Sequence, residues 1–395
     1  MTGSKPPYDF DTVVDRRRTN SVKWDFCDCC FGVDDLLPMW VADMDFPAPP
    51  AVVEAIAEVA RHGIYGYSDM PDTYYDSIES WSKRRYGYAF ARDTLSYTPG
   101  VITGLNVAIQ TFTKPGDGVI IQPPVYPPFY AAVQRNGRMV QENTLVPGRD
   151  GYEMDFDGLE ALIGPRTRMI ALCSPHNPLG RVWTRRELER VADIALRHEL
   201  LVFSDEIHCD LLLDGRRHVP FASLSPEVAQ ITMTGFAPSK TFNIAGLKAS
   251  VIATANPRLK REFDQVQEAT FGLYNANIFA IRALEVAYER GEAWLDSLLP
   301  YLTANADRAA GFVSAELPGV RCYRPEGIFL LWLDFRELGL DQERLRQLVF
   351  CNAKVGLNDG PSFGAGGEGH MRLNFGCPRS VLDEGLSRLK SAIAD

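Results

Sequence analysis

Five short apolar runs, each closed by turn-forming residues, constrain the fold more than any other feature of this chain. They cover 119–122, 169–173, 200–203, 231–234 and 249–253. The first four stop at Pro123, Ser174, Ser204 and Gly235. Continuous apolar runs of this length suit strands buried on both faces. Helical patterns fall between them, at 105–112, at 185–198 and from Pro257 onward. Thr184 stands three residues before Glu187, the spacing of a capping box at the start of the second helix. Strands that alternate with helices predict an α/β architecture with a mainly parallel sheet, here from about Pro50 to Ala287.

The two ends of the chain read differently. A long helix is expected over 296–315, a strand over 327–335, a helix over 341–353, a strand over 370–375 and a closing helix over 380–393. That pattern is α+β and predicts a second, smaller domain. With 395 residues, length alone allows two or three domains. The border is expected near 288–294, which gives a large domain over 50–290. The small domain is then built from both chain ends, 1–49 and 291–395.

Composition narrows the function classes. Apolar residues make up 46% and charged residues 23%, as in ordinary globular proteins. The net charge of −10 disfavours nucleic acid and anionic membrane surfaces as partners. There is no apolar run of about 18 residues that could span a bilayer. The stretch from Met1 to Asp11 lacks the apolar centre of a secretory leader. Eight cysteines spread over this length do not form a disulfide framework, so a reduced, cytoplasmic protein is expected. Cys27 and Cys30 have CxxC spacing, but a metal site needs a second ligand pair and none is found, so no metal is expected. The run Arg16-Arg17-Arg18 reads as a solvated or interface charge cluster. The glycine-rich stretch 364–369 mimics a dinucleotide fingerprint, yet it does not sit between a strand and a helix of a βαβ unit.

In open parallel sheets, ligands bind beyond the carboxyl ends of the strands. The residues at those positions are Tyr126, Asn177, Asp205, His208 and Lys240. They combine an aromatic ring, an amide, a carboxylate and an amine, a set suited to a flat, phosphorylated, nitrogen-containing ring. Lysine is scarce in this chain, with nine among 41 basic residues. Lys240 lies in a largely apolar and hydroxylic stretch, where burial lowers an amine's pKa and favours Schiff-base chemistry. Asp205 follows a buried strand directly, a costly place for a carboxylate without a cationic partner. Glycines before the helix at 105 expose backbone N–H groups, which form a ready anion site. Taken singly, each residue has an ordinary reading: a loop lysine, a helix-capping Asp, an Asn-Pro turn, a packing Tyr, a core His.

The ordered combination is more specific. A glycine-rich turn, Tyr126, Asn177, Asp205, Ser239-Lys240 and Arg372 resembles the fold-type I pyridoxal-phosphate enzymes of the class I/II aminotransferase superfamily. Five segments are similar to one branch, the cystathionine β-lyase or C–S lyase group: 18–24, 40–46, 66–68, 204–208 and 372–378. The resemblance runs from about Arg16 to Leu389. It implies an α/β large domain of the aspartate-aminotransferase type with a smaller α+β domain, and pyridoxal 5'-phosphate as cofactor.

It also implies roles for residues. Lys240 would carry the cofactor covalently, Asp205 would pair with the ring nitrogen, Asn177 would bond the ring oxygen and Tyr126 would stack on the ring. Val101, Ile102 and Thr103 would hold the phosphate through their amides, with Ser239 and Lys248 close by. Arg372 would clamp the substrate carboxylate through a bidentate pair, with Tyr126 and Asn177 beside it. Tyr67 would reach into the neighbouring subunit's site, which implies a homodimer. Three positions depart from the aminotransferase pattern: His208 stands where Tyr is common, Ala237 where a small hydroxyl residue or Gly is frequent, and Lys248 where Arg is usual. The implied activity is β-elimination from cystathionine or another cysteine S-conjugate. The alternatives are transamination of amino acids and, less favoured, a cofactor-bound regulatory protein.

Overall fold

The computed structural model describes residues 8–394. Most of the leader expectation on Met1 to Asp11, and the outermost ends of the expected small domain, therefore lie outside the described residues. Among the described residues the largest sheet has seven strands, in the spatial order Leu95–Thr98, Ser250–Thr254, Thr232–Phe236, Leu201–Asp205, Thr167–Cys173, Gly118–Ile121 and Met139–Glu142. Ser250–Thr254 runs antiparallel to both neighbours, and the remaining pairs are parallel. The five apolar runs are thus the five interior strands.

Their continuous apolar character has a simple cause. Successive side chains point to opposite faces, and both faces carry helices. Ile170 and Leu172 pack with Leu188, Val191 and Ala195 of the helix Arg185–Arg197. Met169, Ala171 and Cys173 pack on the other side with Leu105 and Ile109 of the helix Val101–Phe112. Each fully buried Leu, Ile or Val contributes about 1.5–3 kcal/mol, so these two layers dominate the sheet's stability. The capping box forms as the spacing predicts: Glu187 N–H donates to Thr184 Oγ1 at 3.2 Å, and Thr184 N–H donates back to Glu187 Oε2 at 2.7 Å.

Two edge strands were not expected from the sequence. Leu95–Thr98 mixes apolar and hydroxyl residues, and Met139–Glu142 keeps both its ends exposed. Neither has the run of apolar residues that a doubly covered strand needs. A second difference concerns 341–353, expected as one helix. It is a short α-helix, Gln342–Arg346, continued by a wider π-helical turn, Gln347–Asn352.

The C-terminal part builds its own antiparallel sheet from Arg321–Cys322, Leu330–Asp334, His370–Asn374 and Asn358–Asp359. The helix Glu292–Glu316 buries Leu295, Leu298, Leu302, Ala306 and Val313 beneath it. This helix starts after Gly291, which separates it from Ile278–Arg290, inside the border expected near 288–294. The N-terminal segment joins this part through Leu37, which pairs in parallel with Val355.

Arg16 departs from one expectation: it is partly buried and paired rather than a free surface charge. Its guanidinium donates to Asp43 and to Asp45, each at 2.7 Å. Lys23, only 1% exposed, reaches Asp45 at 2.6 Å, and Trp24 Nε1 donates to the same carboxylate at 2.9 Å. Two neighbouring carboxylates drawn inside need cations, and Arg16 and Lys23 supply them. Arg17 lies over the Trp24 ring at 5.5 Å.

Candidate active site

A cleft of about 240 Å³ opens at the carboxyl ends of the central strands. One end is the start of the helix Val101–Phe112. Its N-cap, Gly100, offers no side chain to the first turn, so the Val101, Ile102 and Thr103 amides have no intrahelical acceptor and face the cleft. The helix sits this close to the sheet because of two glycines. A Cβ at Gly104 would lie 2.5 Å from Ile252 Cδ1, and one at Gly235 would lie 2.5 Å from Val101 Cγ1. Positive backbone dipole ends and free N–H groups make this an anion site.

Asp205 ends its strand in register with Cys173 on one side and Gly235 on the other. It is buried, and the Ile207 amide donates to its Oδ1 at 3.1 Å. Burial pushes its acid up to about 7, against the pull of the Ile207 amide and of Lys240. A carboxyl group held so is ready for a cationic partner.

Lys240 stands on the short helix Pro238–Thr241, directly after the strand Thr232–Phe236. Its half-buried Nζ donates to the Ala42 carbonyl at 2.5 Å. Burial lowers its pKa to about 8, although Asp43 and Asp205 pull upward. A sizeable fraction of neutral amine is therefore present near neutral pH, as a nucleophile or base requires.

Arg372 comes from the smaller sheet and is buried. Nη1 donates to Asn177 Oδ1 at 2.8 Å, and Nη2 donates to the Trp40 carbonyl at 2.9 Å and to Asn358 Oδ1 at 2.5 Å. The guanidinium lies over the Phe363 ring at 5.0 Å, and its buried Nε has no partner among the described residues. Burial lowers its pKa to about 10, so it stays charged. Asn177 also accepts, through its backbone carbonyl, from the Tyr126 amide at 3.1 Å. Tyr126 is half-buried between Val125 and Pro127, and burial raises its pKa.

His208 is buried edge-on to Phe329 at 5.9 Å, and its Nδ1 has no partner among the described residues. Burial drives its pKa well below the usual histidine value, so it is neutral. Ser239 donates to the Ala249 carbonyl at 3.0 Å, and the exposed Lys248 stands at the rim in a left-handed conformation. Tyr67 does not join this cleft; it is fully exposed on the loop between the helices Pro50–His62 and Asp72–Tyr86.

The expected residues other than Tyr67 and Arg372 therefore line one cleft, and Arg372 reaches it through Asn177. The Ala42 carbonyl, Asn358 and Phe363 were not anticipated. An alanine's carbonyl carries no signal in sequence, and no motif marks Asn358 or Phe363. A wider depression of about 630 Å³ opens around Asp210 and Arg216. Its charges largely neutralise one another, as with Arg85 and Asp296 at 2.8 Å, whereas the smaller cleft holds the unpaired chemistry. Free amides, an acid awaiting a cation and an amine that line one cleft fit a flat, phosphorylated ring with a basic nitrogen.

This fold and site define a class, and comparison with known proteins identifies it. The chain belongs to the class I and II aminotransferase family, whose model matches residues 34–389. Within the family its relatives are more particular. It is 46% identical to cystathionine beta-lyase PatB of Bacillus subtilis, over 98% of this chain and all of that protein. Its fold matches cystalysin from Treponema denticola, which contains a pyridoxal 5'-phosphate cofactor, with a TM-score of 0.95 and 36% identity over 98% of this chain and 99% of that one. It also matches the pyridoxal-phosphate-bound C–S lyase of Staphylococcus hominis, with a TM-score of 0.91 and 33% identity over 98% of each chain.

Proposed function

We propose that this chain is a pyridoxal-phosphate-dependent carbon–sulfur lyase. It cleaves cystathionine or another cysteine S-conjugate into a thiol, pyruvate and ammonia. The carrying observation is full-length similarity to a cystathionine beta-lyase, joined to a cleft in which Lys240, Asp205 and the amides of 101–103 converge.

When bound, pyridoxal phosphate supplies a carbonyl carbon for the substrate amine and a ring that accepts the electrons of the Cα–H bond. Lys240 would hold the cofactor at rest and, once free, would take the Cα proton at Nζ. Asp205 would be the counter-charge for a protonated pyridine nitrogen. Val101, Ile102 and Thr103 would hold the phosphate through their amides, with Ser239 and Lys248 beside it. Asn177 would bond the ring oxygen and Tyr126 would cover the ring face. His208 lines the pocket as a neutral ring. Arg372 would bind the substrate α-carboxylate and orient Cα toward Lys240. The proton held at Lys240 Nζ would pass to the departing sulfur, which leaves as a thiol, and one water balances the release of pyruvate and ammonia.

The working unit is a homodimer in the cytoplasm, in which Tyr67 enters the neighbouring subunit's site. The large domain spans 50–290, and both chain ends form the small one. Leu37 pairing with Val355 supports that division. Transamination uses the same residues and is the alternative that the family's description keeps open. Incubation with cystathionine and no keto acid separates the two. Sustained release of pyruvate, ammonia and homocysteine supports the lyase; turnover only after a keto acid is added refutes it. Lys240→Ala is expected to abolish both turnover and the cofactor's lysine-linked absorbance.

A further inference from the structure

The segment from Trp40 to Phe46 forms a strap between the two elements that carry Lys240 and Arg372. Its backbone is tied at nearly every residue. The Trp40 carbonyl accepts from Arg372 at 2.9 Å, and the Ala42 carbonyl accepts from Lys240 at 2.5 Å. Asn374, two residues after Arg372, donates to the carbonyls of Val41 and Asp43, each at 2.6 Å. Asn243, three residues after Lys240, donates to the carbonyls of Met44 and Phe46, each at 2.8 Å, and accepts from the Met44 amide at 3.0 Å. Asn374 grips the strap on both sides of Ala42, and Asn243 grips the residues that follow it.

We infer that the Ala42 carbonyl is part of the working site, as the acceptor that orients the Lys240 amine, and that Asn243 and Asn374 are positioning residues that keep it there. The inference rests on the reading of Lys240 as the working amine. A neutral amine has two N–H bonds and one lone pair. Holding one N–H on a fixed carbonyl restricts where the lone pair points, which a base requires. The same carbonyl stabilises the ammonium that forms when Nζ takes a proton. Such a contact is strong only if the carbonyl cannot swing away, and a strap without regular secondary structure needs side-chain ties for that.

Asn243 suits the task in a second way. Its φ is +56°, a left-handed conformation that Asn and Gly adopt most readily. Asn243→Gly therefore removes the clasp without forcing the backbone. The charges facing Lys240 remain in place: Asp43 and Asp205 favour its ammonium form, while Arg372 and Lys248 oppose it. His208 also lies near and is neutral.

The test measures Lys240 itself, in cofactor-free full-length protein. The pH dependence of its acylation by an amine reagent, followed by peptide mass spectrometry, gives the titration midpoint of the amine. Loss of a hydrogen-bond acceptor disfavours the ammonium, so Asn243→Gly is expected to lower the midpoint by at least about 0.5 pH. Asn374→Ala releases the same strap and must move the midpoint in the same direction. In cofactor-loaded enzyme, kcat per bound cofactor is expected to fall about 10-fold with a smaller change in KM. An unchanged midpoint overturns the inference. So does a rise toward the ordinary lysine value, which a merely loosened and hydrated site would give. The acylation measurement needs no substrate, so a failed lyase assay and a failed strap inference are separate results.

Discussion

Arg372 Nη1 donates to Asn177 Oδ1 at 2.8 Å, so the side chain assigned to the substrate carboxylate touches the one assigned to the cofactor ring. Arg372 comes from the smaller sheet, and Asn177 from the turn that follows the strand Thr167–Cys173 of the large one. The contact binds the two structural parts at the place where substrate and cofactor must meet. It also orients a guanidinium whose buried Nε has no partner among the described residues.

A lysine at 372 would keep a positive charge but lose the planar fork and the bond pattern to Asn177, Trp40 and Asn358. Arg372→Lys is expected to raise KM for the amino-acid substrate and lower kcat/KM by about 100-fold. Cofactor absorbance should persist, since the cofactor's main holds lie elsewhere. Steady-state kinetics with cystathionine decides it. An unchanged KM would place the carboxylate clamp on another residue.

Asp205 makes a signed prediction about stability. Its folded acid titrates near 7 in the cofactor-free protein, against an ordinary value of 3.8. Between those values the folded state holds a proton that the unfolded state has lost, so stability falls as pH rises through that window. Asn at this position has no such cost. Cofactor-free Asp205→Asn is expected to melt several degrees above cofactor-free wild type at pH 8, and the gap should close toward pH 4. Thermal melts at the two pH values check it, and a gap independent of pH would refute it. The same variant should lose nearly all turnover.

How far such a site can be read in advance differs from residue to residue. Asp205 ends a buried strand, Asn177 and Lys240 each lie four residues past the end of one, and the place of strand ends in a parallel sheet follows from apolar runs alone. Arg372 lies on a strand of the other sheet, so only the resemblance brought it to the same site. The edge strand Leu95–Thr98 escaped because hydroxyl residues break its apolar run although it is buried, and Met139–Glu142 because its ends are exposed. Arg16 read as part of a surface or interface charge cluster, since nothing in a run of arginines says which one a distant Asp43 and Asp45 will draw in, and no signal marked Lys23 as their second cation. The Ala42 carbonyl was invisible, because backbone groups have no residue code.

Lys23 sets the cost of that buried network. It is 1% exposed and lies 2.6 Å from Asp45. Removing one partner of a buried ion pair costs about 3–5 kcal/mol, because the other charge is left behind. Arg16 still reaches Asp45, which softens the loss. Lys23→Ala is expected to lower the melting temperature by more than about 5 °C, and Arg16→Ala by less, since Arg16 is already partly solvated. Differential scanning calorimetry on both variants checks the order. The reverse order would move the anchor of the strap from Lys23 to Arg16.

Tyr67 offers a test of the dimer that no single variant can give. Its side chain is fully exposed in one chain, and Ile64 and Tyr65 beside it are 69% and 57% exposed. An aromatic cluster open to water calls for a partner surface. If Tyr67 serves the neighbouring subunit's site, Tyr67→Ala and Lys240→Ala proteins should each be nearly inactive, for different reasons. A mixed dimer, however, holds one site with both residues intact, built on the Lys240 of one chain and the Tyr67 of the other. Its second site lacks both. Random pairing of equal amounts makes about half the dimers mixed, so about one quarter of all sites should be intact. Co-expression of the two variants is therefore expected to restore about a quarter of the wild-type rate. Equal amounts of separately purified variants, before exchange, should show none of it. If co-expression restores nothing while each variant still folds and dimerises, Tyr67 acts within its own chain or not at all.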